Sequence, residues 1–249
     1  MKIDILNIRR KLPEPVKKPL RWLFHKWNIR LEEETIKDLM DSFSVDKKTA
    51  MHLLRSAGNL SADLWYCLNP KTDEEIKSFY KENPFYVFNL IFWHATKEQR
   101  ELRLEFIGLA RGKVLDYGGA VGDMCMKSAD KKLETDYADL PGRTYNYAKW
   151  LFSKNGYNIP MIDLSKDKIS KKYDTIFCID VIEHVVNPKE LLRDLAGYLE
   201  NNGQLIITNL KPVISKEAPM HLELKFDPEK YLESLGMVKT NKPFLWIKK

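Results

Sequence analysis

Val114-Leu115-Asp116-Tyr117-Gly118-Gly119-Ala120-Val121-Gly122-Asp123 is the stretch that decides the fold. The apolar run closing on an acid reads as a short buried strand, the glycines as a tight turn, and the residues from Val121 onward as the start of a helix. Missing side chains let a ligand approach the turn, and a helix N-terminus offers it free backbone N–H groups. The turn therefore suits a nucleotide-like ligand. The strands beyond it decide which one.

From residue 112 apolar strand segments (113–117, 133–139, 159–163, 174–180 and 203–209) alternate with helical ones near 121–130, 143–155 and 188–200. A helix near 227–235 and two short strands at 237–241 and 243–248 close the chain. Alternation of this kind predicts an α/β fold, a doubly wound and mostly parallel sheet ending in an antiparallel hairpin strand. Ligands of such sheets bind beyond the carboxyl ends of the strands. Asp116, Asp139, Asp163 and Asp180 fall at four successive strand ends. Each alone is as well explained as a helix cap or loop acid. Together they describe a crevice that accepts hydrogen bonds from sugar hydroxyls, a base amino group or an ammonium. A dinucleotide fingerprint would need glycine at 120 and 123, where the chain has Ala120 and Asp123.

On these residues the segment 111–249 resembles a class I S-adenosylmethionine-dependent methyltransferase, in the subgroup whose fourth strand runs into an Asp-Val-Leu-Glu-His-Val-like motif. Here that motif is Asp180-Val181-Ile182-Glu183-His184-Val185. The glycine motif of the family falls on Asp116, Gly118, Ala120 and Gly122, with Ala120 in place of the middle glycine and Gly119 beside it. The resemblance implies a Rossmann-like fold with S-adenosylmethionine as cofactor. It places Asp116 and Gly118 at the methionine end, with Gly119 and Gly122 also among the cofactor-binding residues. Asp139 falls on the ribose hydroxyls, in preference to Asp136, because it ends the strand 17 residues after Gly122. Asp163 and the Leu164 N–H fall on the adenine, and Asp180 near the methionine ammonium.

Methyl transfer from a sulfonium requires a positioned nucleophile, and a base only where the nucleophile must lose a proton. The candidates are Glu183 and His184 beyond the fourth strand and His221 after the fifth. The set Asp180, Glu183, His184 and His221 is also similar to the ligand set of metal-using relatives among the ubiquinone-pathway and small-RNA methyltransferases. The same motif occurs in relatives without a metal, so no metal is assigned.

Residues 1–110 read as a helical N-terminal domain that lids the crevice and selects substrate, with helices near 33–43, 46–57, 72–81, 85–94 and 97–109. It is rich in aromatics, including Trp65, Tyr66, Tyr80, Tyr86, Phe92 and Trp93, and at least one of Tyr66, Tyr86 and His94 is expected on the pocket wall. Residues 1–30 carry nine basic and two acidic side chains, so the +6 net charge of the chain resides in that segment. Val16, Leu20, Leu23, Phe24, Trp27 and Leu31 give it an apolar helical face. A basic amphipathic arm over 9–31 suits peripheral contact with an anionic membrane, although packing on the domain is the simpler account. No basic stripe continues through the core, which sets nucleic acid aside as a partner. No apolar run nears the ~18–20 residues of a membrane span, and the three dispersed cysteines form no C-x-x-C pair. The sequence thus predicts a cytoplasmic methyltransferase acting on an oxygen, nitrogen or carbon of a small or amphipathic molecule. The alternatives are an RNA or peptide methyltransferase and a non-catalytic cofactor-binding module. The oligomeric state has no sequence signal.

Overall fold

A computed structural model describes residues 29–216 and 218–249. The strand–helix alternation after residue 112 becomes a seven-stranded sheet: β1 Lys113–Tyr117, β2 Glu134–Asp139, β3 Met161–Asp163, β4 Tyr173–Cys178, β5 Leu199–Ile207, β6 Met237–Lys239 and β7 Leu245–Lys248. Their spatial order is β3-β2-β1-β4-β5-β7-β6. The first five strands pair in parallel, and β7 runs antiparallel to both β5 and β6. The order reverses beside β1, where β2 lies on one side and β4 on the other, and that switch point opens the ligand crevice.

Period-two alternation sends successive side chains to opposite faces of the sheet. Leu115, Ile176, Cys178 and Leu205 pack on one face with Leu191, Leu192 and Leu195 of a helix at Pro188–Tyr198. Val114, Phe177 and Ile206 pack on the other with Phe106 and Ile107.

Among the described residues, five helices precede the sheet: α1 Glu33–Phe43, α2 Lys47–Leu68, α3 Asp73–Glu82, α4 Tyr86–His94 and α5 Lys97–Leu109. Helix α3 opens on a capping box formed by Thr72 and Glu75. The Thr72 hydroxyl accepts from the Glu75 N–H at 3.2 Å, and the Glu75 carboxylate accepts from the Thr72 N–H at 3.0 Å. Helices α1, α2 and α4 bury Leu39, Leu54, Val87 and Phe88 against Val121, Tyr147 and Leu151 of the sheet half. Helix α5, by contrast, belongs to the sheet's own core through Phe106 and Ile107. The division at 110/111 drawn from the change of sequence pattern stands as a proposal about folding units.

After β1 come α6 Asp123–Asp130, α7 Arg143–Lys154, α8 Pro188–Tyr198 and α9 Pro228–Ser234. Gly142 enters α7 with no room for a side chain, since a Cβ there would lie 2.5 Å from the Lys81 Cα. The Arg143 Nε donates to the Glu82 carbonyl at 3.0 Å across the same seam. Gly142→Ala is therefore expected to push α3 outward and to cost about 1–3 kcal/mol, as overpacking does. Urea unfolding checks this, and a neutral result would show that the seam yields freely.

Several boundaries differ from the sequence reading, among them the following. Helix α2 continues to Leu68 rather than ending near 57. Strand β4 stops at Cys178, because Asp180 turns into left-handed backbone at φ 56°. Strand β5 begins at Leu199, where the preceding helix was expected to continue. Most of the predicted 9–31 arm lies outside the described residues. Its last residues are not helical: Ile29 bridges to Thr96 and the Arg30 N–H donates to the Ala95 carbonyl at 3.0 Å.

Candidate active site

The glycine turn is folded back onto β2. The Gly118 and Gly119 N–H groups donate to the Ala138 carbonyl at 2.8 and 3.2 Å. Gly118 has φ 70°, and a Cβ on it would lie 2.5 Å from Val181 Cγ2, so only glycine serves there. Ala120 is also left-handed, at φ 48°. Strain of about 1–2 kcal/mol is usual for an L-residue there. It is offset by two bonds: the Ala120 N–H donates to Asp139 Oδ2 at 2.8 Å, and its carbonyl accepts from the Tyr137 hydroxyl at 2.8 Å. The departure at Ala120 is thus locked by β2 itself.

Above the turn opens a cavity of about 830 Å³, within the ~300–1,000 Å³ range of ligand pockets. Asp116, Gly118, Gly119, Asp139, Leu164 and Asp180 lie on its wall, as do Glu183, His184 and His221. Of the candidate residues, Gly122 and Asp163 do not line it. Gly122 is the left-handed N-cap of α6, seated on the Phe152 ring. Asp163 closes its own loop, its Oδ1 accepting from the Ser165 N–H at 2.9 Å and hydroxyl at 2.6 Å, with Lys166 beside Oδ2. Asp136 is turned away, bonded to the Tyr173 hydroxyl and to Lys171, both at 2.8 Å.

Burial without enough counter-charge makes this an unusual set of acids. Burial pushes the Asp116 carboxyl up to about 7, and the nearby Asp123 charge adds to it. Burial likewise carries Asp139 to about 6, against the N–H groups of Ala120 and Leu140 that favour its charged form. Glu183 is pushed up to about 8 by burial and by the Asp180 charge. Asp123 goes the other way. Despite burial, the charges of Arg103, His94 and Lys127 hold it well below the ordinary carboxylate range.

The far end of the cavity is built where β4 and β5 end. The Thr208 hydroxyl donates to Asp180 Oδ1 and accepts from the Asp180 N–H, both at 2.8 Å. Asn209 Nδ2 donates to Asp180 Oδ1 at 2.9 Å and also to Glu183 Oε1. The Trp93 indole of α4 reaches Asp180 Oδ2 at 3.3 Å. Glu183 is 1% exposed, and its Oε2 has no protein partner. His184 Nδ1 lies 2.7 Å from the Tyr80 hydroxyl of α3. Burial, then the neighbouring His221, lowers the His184 imidazole to about 4. The His221 ring meets His184 edge-on at 5.0 Å, and its Nδ1 lies 2.8 Å from the Val213 carbonyl. Glu183, His184 and His221 each place one ligating atom within 4.8 Å of the others, a donor set that would also suit a divalent cation.

Of the three aromatic candidates on the N-terminal helices, Tyr86 and His94 line the cavity. Tyr66 is 55% exposed and bonds to the Lys216 carbonyl instead. Several wall residues carried no signal in the sequence. Arg103, on α5, is 5% exposed and stands with His94 beside Asp123, His94 Nδ1 lying 3.3 Å from Asp123 Oδ1 without hydrogen-bond alignment. Asn209 and Tyr80 were equally silent, because each acts through a partner remote in sequence.

The chain matches the family model described as Methyltransferase domain over residues 92–230, more than half its length. Among curated proteins it is similar to the ubiquinone biosynthesis O-methyltransferase of Rickettsia felis, 24% identical over 120 residues covering 44% of this chain and 49% of that protein. The protein of the same name from Idiomarina loihiensis is 25% identical over 147 residues, covering 55% and 54% respectively. The chain spans about half the length of these relatives. Among solved structures, it resembles the magnesium protoporphyrin IX methyltransferase of Synechocystis with bound S-adenosylmethionine. The TM-score is 0.48 at 17% identity over 66% of this chain and 84% of that one. An O-methyltransferase family protein of Burkholderia thailandensis gives 0.49 at 15% identity over 70% and 59%. These scores carry no weight beside this chain's own strand order. With the family match over the α/β half, the sheet order and the glycine turn facing an acid-lined cavity, the chain belongs to the methyltransferase domain family, and its cofactor is S-adenosylmethionine.

Proposed function

We propose that the protein transfers a methyl group to an oxygen of a small or amphipathic molecule. The observation that carries this reading is the cavity itself, which joins the glycine turn and Asp139 at one end to Tyr80, His184 and His221 at the other. A methyl donor held at the first end meets a hydrogen-bonding wall at the second. The named activity of the curated relatives supports oxygen as the methylated atom.

The donor set fits the cofactor group by group. Asp139 would take the ribose hydroxyls, and Leu164 would lie against the adenine. Asp116 and Asp180 would face the ammonium. Arg103 is the guanidinium on this wall and would face the carboxylate. When bound, S-adenosylmethionine supplies a methyl group already activated by its sulfonium. The protein then has to orient the methyl acceptor and exclude water. Trp93, Tyr86 and Met220 give the far end the apolar surface that a ring or tail would need.

Calorimetric titration with S-adenosylmethionine and with NAD tests the cofactor site. Binding of the first and not the second is expected, and NAD binding alone would overturn the reading. Transfer of labelled methyl from S-adenosylmethionine to catechols bearing apolar tails, set against amines and short RNAs, tests the methylated atom. Labelling of amines or RNA alone would refute the oxygen assignment.

A further inference from the structure

A buried guanidinium has five N–H donors to satisfy. Arg103 is 5% exposed and lies on the cavity wall. Among the described residues its guanidinium makes one hydrogen bond, from Nη2 to His94 Nε2. Its Nε is shut away from solvent without an acceptor, and Asp123 Oδ2 at 3.9 Å is beyond hydrogen-bond reach. Asp123 is engaged elsewhere, with Lys127 Nζ 3.3 Å from Oδ2 and His94 Nδ1 3.3 Å from Oδ1. Arg103 is thus a buried cation on the cavity wall with donors to spare, and an anion in the cavity would take them up.

The group that fixes the guanidinium is His94. An arginine only donates, so His94 Nε2 is the acceptor. Burial, then the Arg103 charge, lowers the His94 pKa and favours the neutral ring that such a bond requires. His94 ends α4, Arg103 lies on α5, and Asp123 opens α6 at the glycine turn. One imidazole therefore joins two N-terminal helices to the turn that holds the cofactor. The residue before it, Trp93, reaches Asp180 Oδ2 at 3.3 Å. The last turn of α4 so meets both groups that would face the charges of the cofactor's amino-acid end, Arg103 for the carboxylate and Asp180 for the ammonium.

We propose that His94 is a positioning residue of the cofactor site: by holding Arg103 Nη2 it keeps the rest of the guanidinium turned to the carboxylate of S-adenosylmethionine. The inference rests on the methyltransferase reading of the cavity and deepens it. His94 then serves the methyl donor and not the acceptor, although it stands among the aromatic side chains of the N-terminal helices. Selection of a donor that bears an α-amino acid becomes a property of those helices, and the α/β half alone does not supply it. Without His94 the guanidinium turns to Asp123, the anion beside it, and is lost to the ligand.

The test is calorimetry on the full chain with three thioethers that carry no transferable sulfonium methyl. S-adenosylhomocysteine has the whole amino acid, S-adenosyl-3-thiopropylamine lacks only its carboxylate, and 5′-methylthioadenosine lacks all of it. The wild type should bind the first about tenfold or more tighter than the second, since the carboxylate carries charge-assisted bonds. His94→Ala should weaken S-adenosylhomocysteine by about tenfold and the other two by under about twofold. His94→Gln, whose amide can accept from Arg103 and donate to Asp123, should restore affinity to within about threefold of wild type. In an Arg103→Met background His94→Ala should cost nothing further, because the group it positions is gone. A purely structural His94 would weaken all three ligands alike in His94→Ala, and that outcome refutes the proposal. So do additive losses in the double variant, or a wild type that binds the decarboxylated thioether as tightly as S-adenosylhomocysteine. A wild type that binds none of the three sinks the methyltransferase reading and the inference with it, so the two failures are told apart.

Discussion

Asp139→Ala is expected to lower the affinity for S-adenosylmethionine by 100-fold or more while the chain stays folded. Asp139 is the acid on which the turn and the cavity converge. Its Oδ2 accepts from the Ala120 N–H at 2.8 Å, and its Oδ1 accepts from the Leu140 N–H at 2.6 Å. Lone pairs remain on both oxygens for two adjacent ribose hydroxyls. Hydrogen bonds to a charged acceptor contribute about 1.5–3 kcal/mol each, so losing two costs roughly 3 kcal/mol, more than 100-fold in dissociation constant. The same substitution frees the Ala120 N–H and loosens a left-handed residue, which adds to the loss. Asp163→Asn supplies the contrast. Its carboxylate is spent on Ser165 and Lys166 and lies off the wall, so a change under threefold is expected. Calorimetry on both variants decides. Equal losses would mean that Asp163 swings onto the cofactor and that the local loop bonds are incidental.

That contrast also marks how far the sequence was legible. Asp139 and Asp163 both end parallel strands, and position alone gave them equal standing. The difference arises in the loops beyond: the Ser165 and Lys166 side chains close on Asp163 and keep it off the cavity wall, whereas Asp139 has backbone N–H partners from Ala120 and Leu140 and lies on that wall. The parallel sheet itself was readable because strands buried on both faces are nearly continuous apolar runs. The end of α2 was not. Gly58 and Ser61, both weak helix formers, lie just past the expected stop near 57. In the fold they are where α2 admits its neighbours: Asn83 donates to the Ser61 hydroxyl at 3.1 Å, and a Cβ on Gly58 would lie 3.1 Å from Asn89 Oδ1. Tertiary packing overrides propensity there. At the far end of the cavity His184 and His221 could be picked out as residue types, but the groups they contact, the Tyr80 hydroxyl and the Val213 carbonyl, have no motif.

Asp116→Asn should move stability and affinity in opposite directions, and that pairing separates a binding acid from a structural one. Asp116 is 4% exposed, and its carboxyl receives only the weak Cys125 thiol at 3.3 Å as a neutral donor. Burial raises its pKa from 3.8 to about 7, so the folded chain holds a proton that the unfolded chain has released. The folded state binding more protons means that stability falls as pH rises from about 4 to about 7 and levels off above it. Between pH 5 and pH 8 this one group removes about 2–3 kcal/mol. An asparagine carries no charge to desolvate, so the variant should gain that amount over wild type on going from pH 5 to pH 8 in urea unfolding without ligand. Asp139 and Glu183, raised to about 6 and about 8 for the same reason, leave a residual slope of the same sign. With S-adenosylmethionine the order should reverse. The cofactor brings a sulfonium and an ammonium, whose positive charge favours the ionised carboxylate, and losing that charge should weaken binding by about 10–100-fold, or 1.4–2.8 kcal/mol. A variant that gains stability at pH 8 and binds the cofactor as wild type does would make Asp116 a buried acid of the turn with no part in holding the methyl donor.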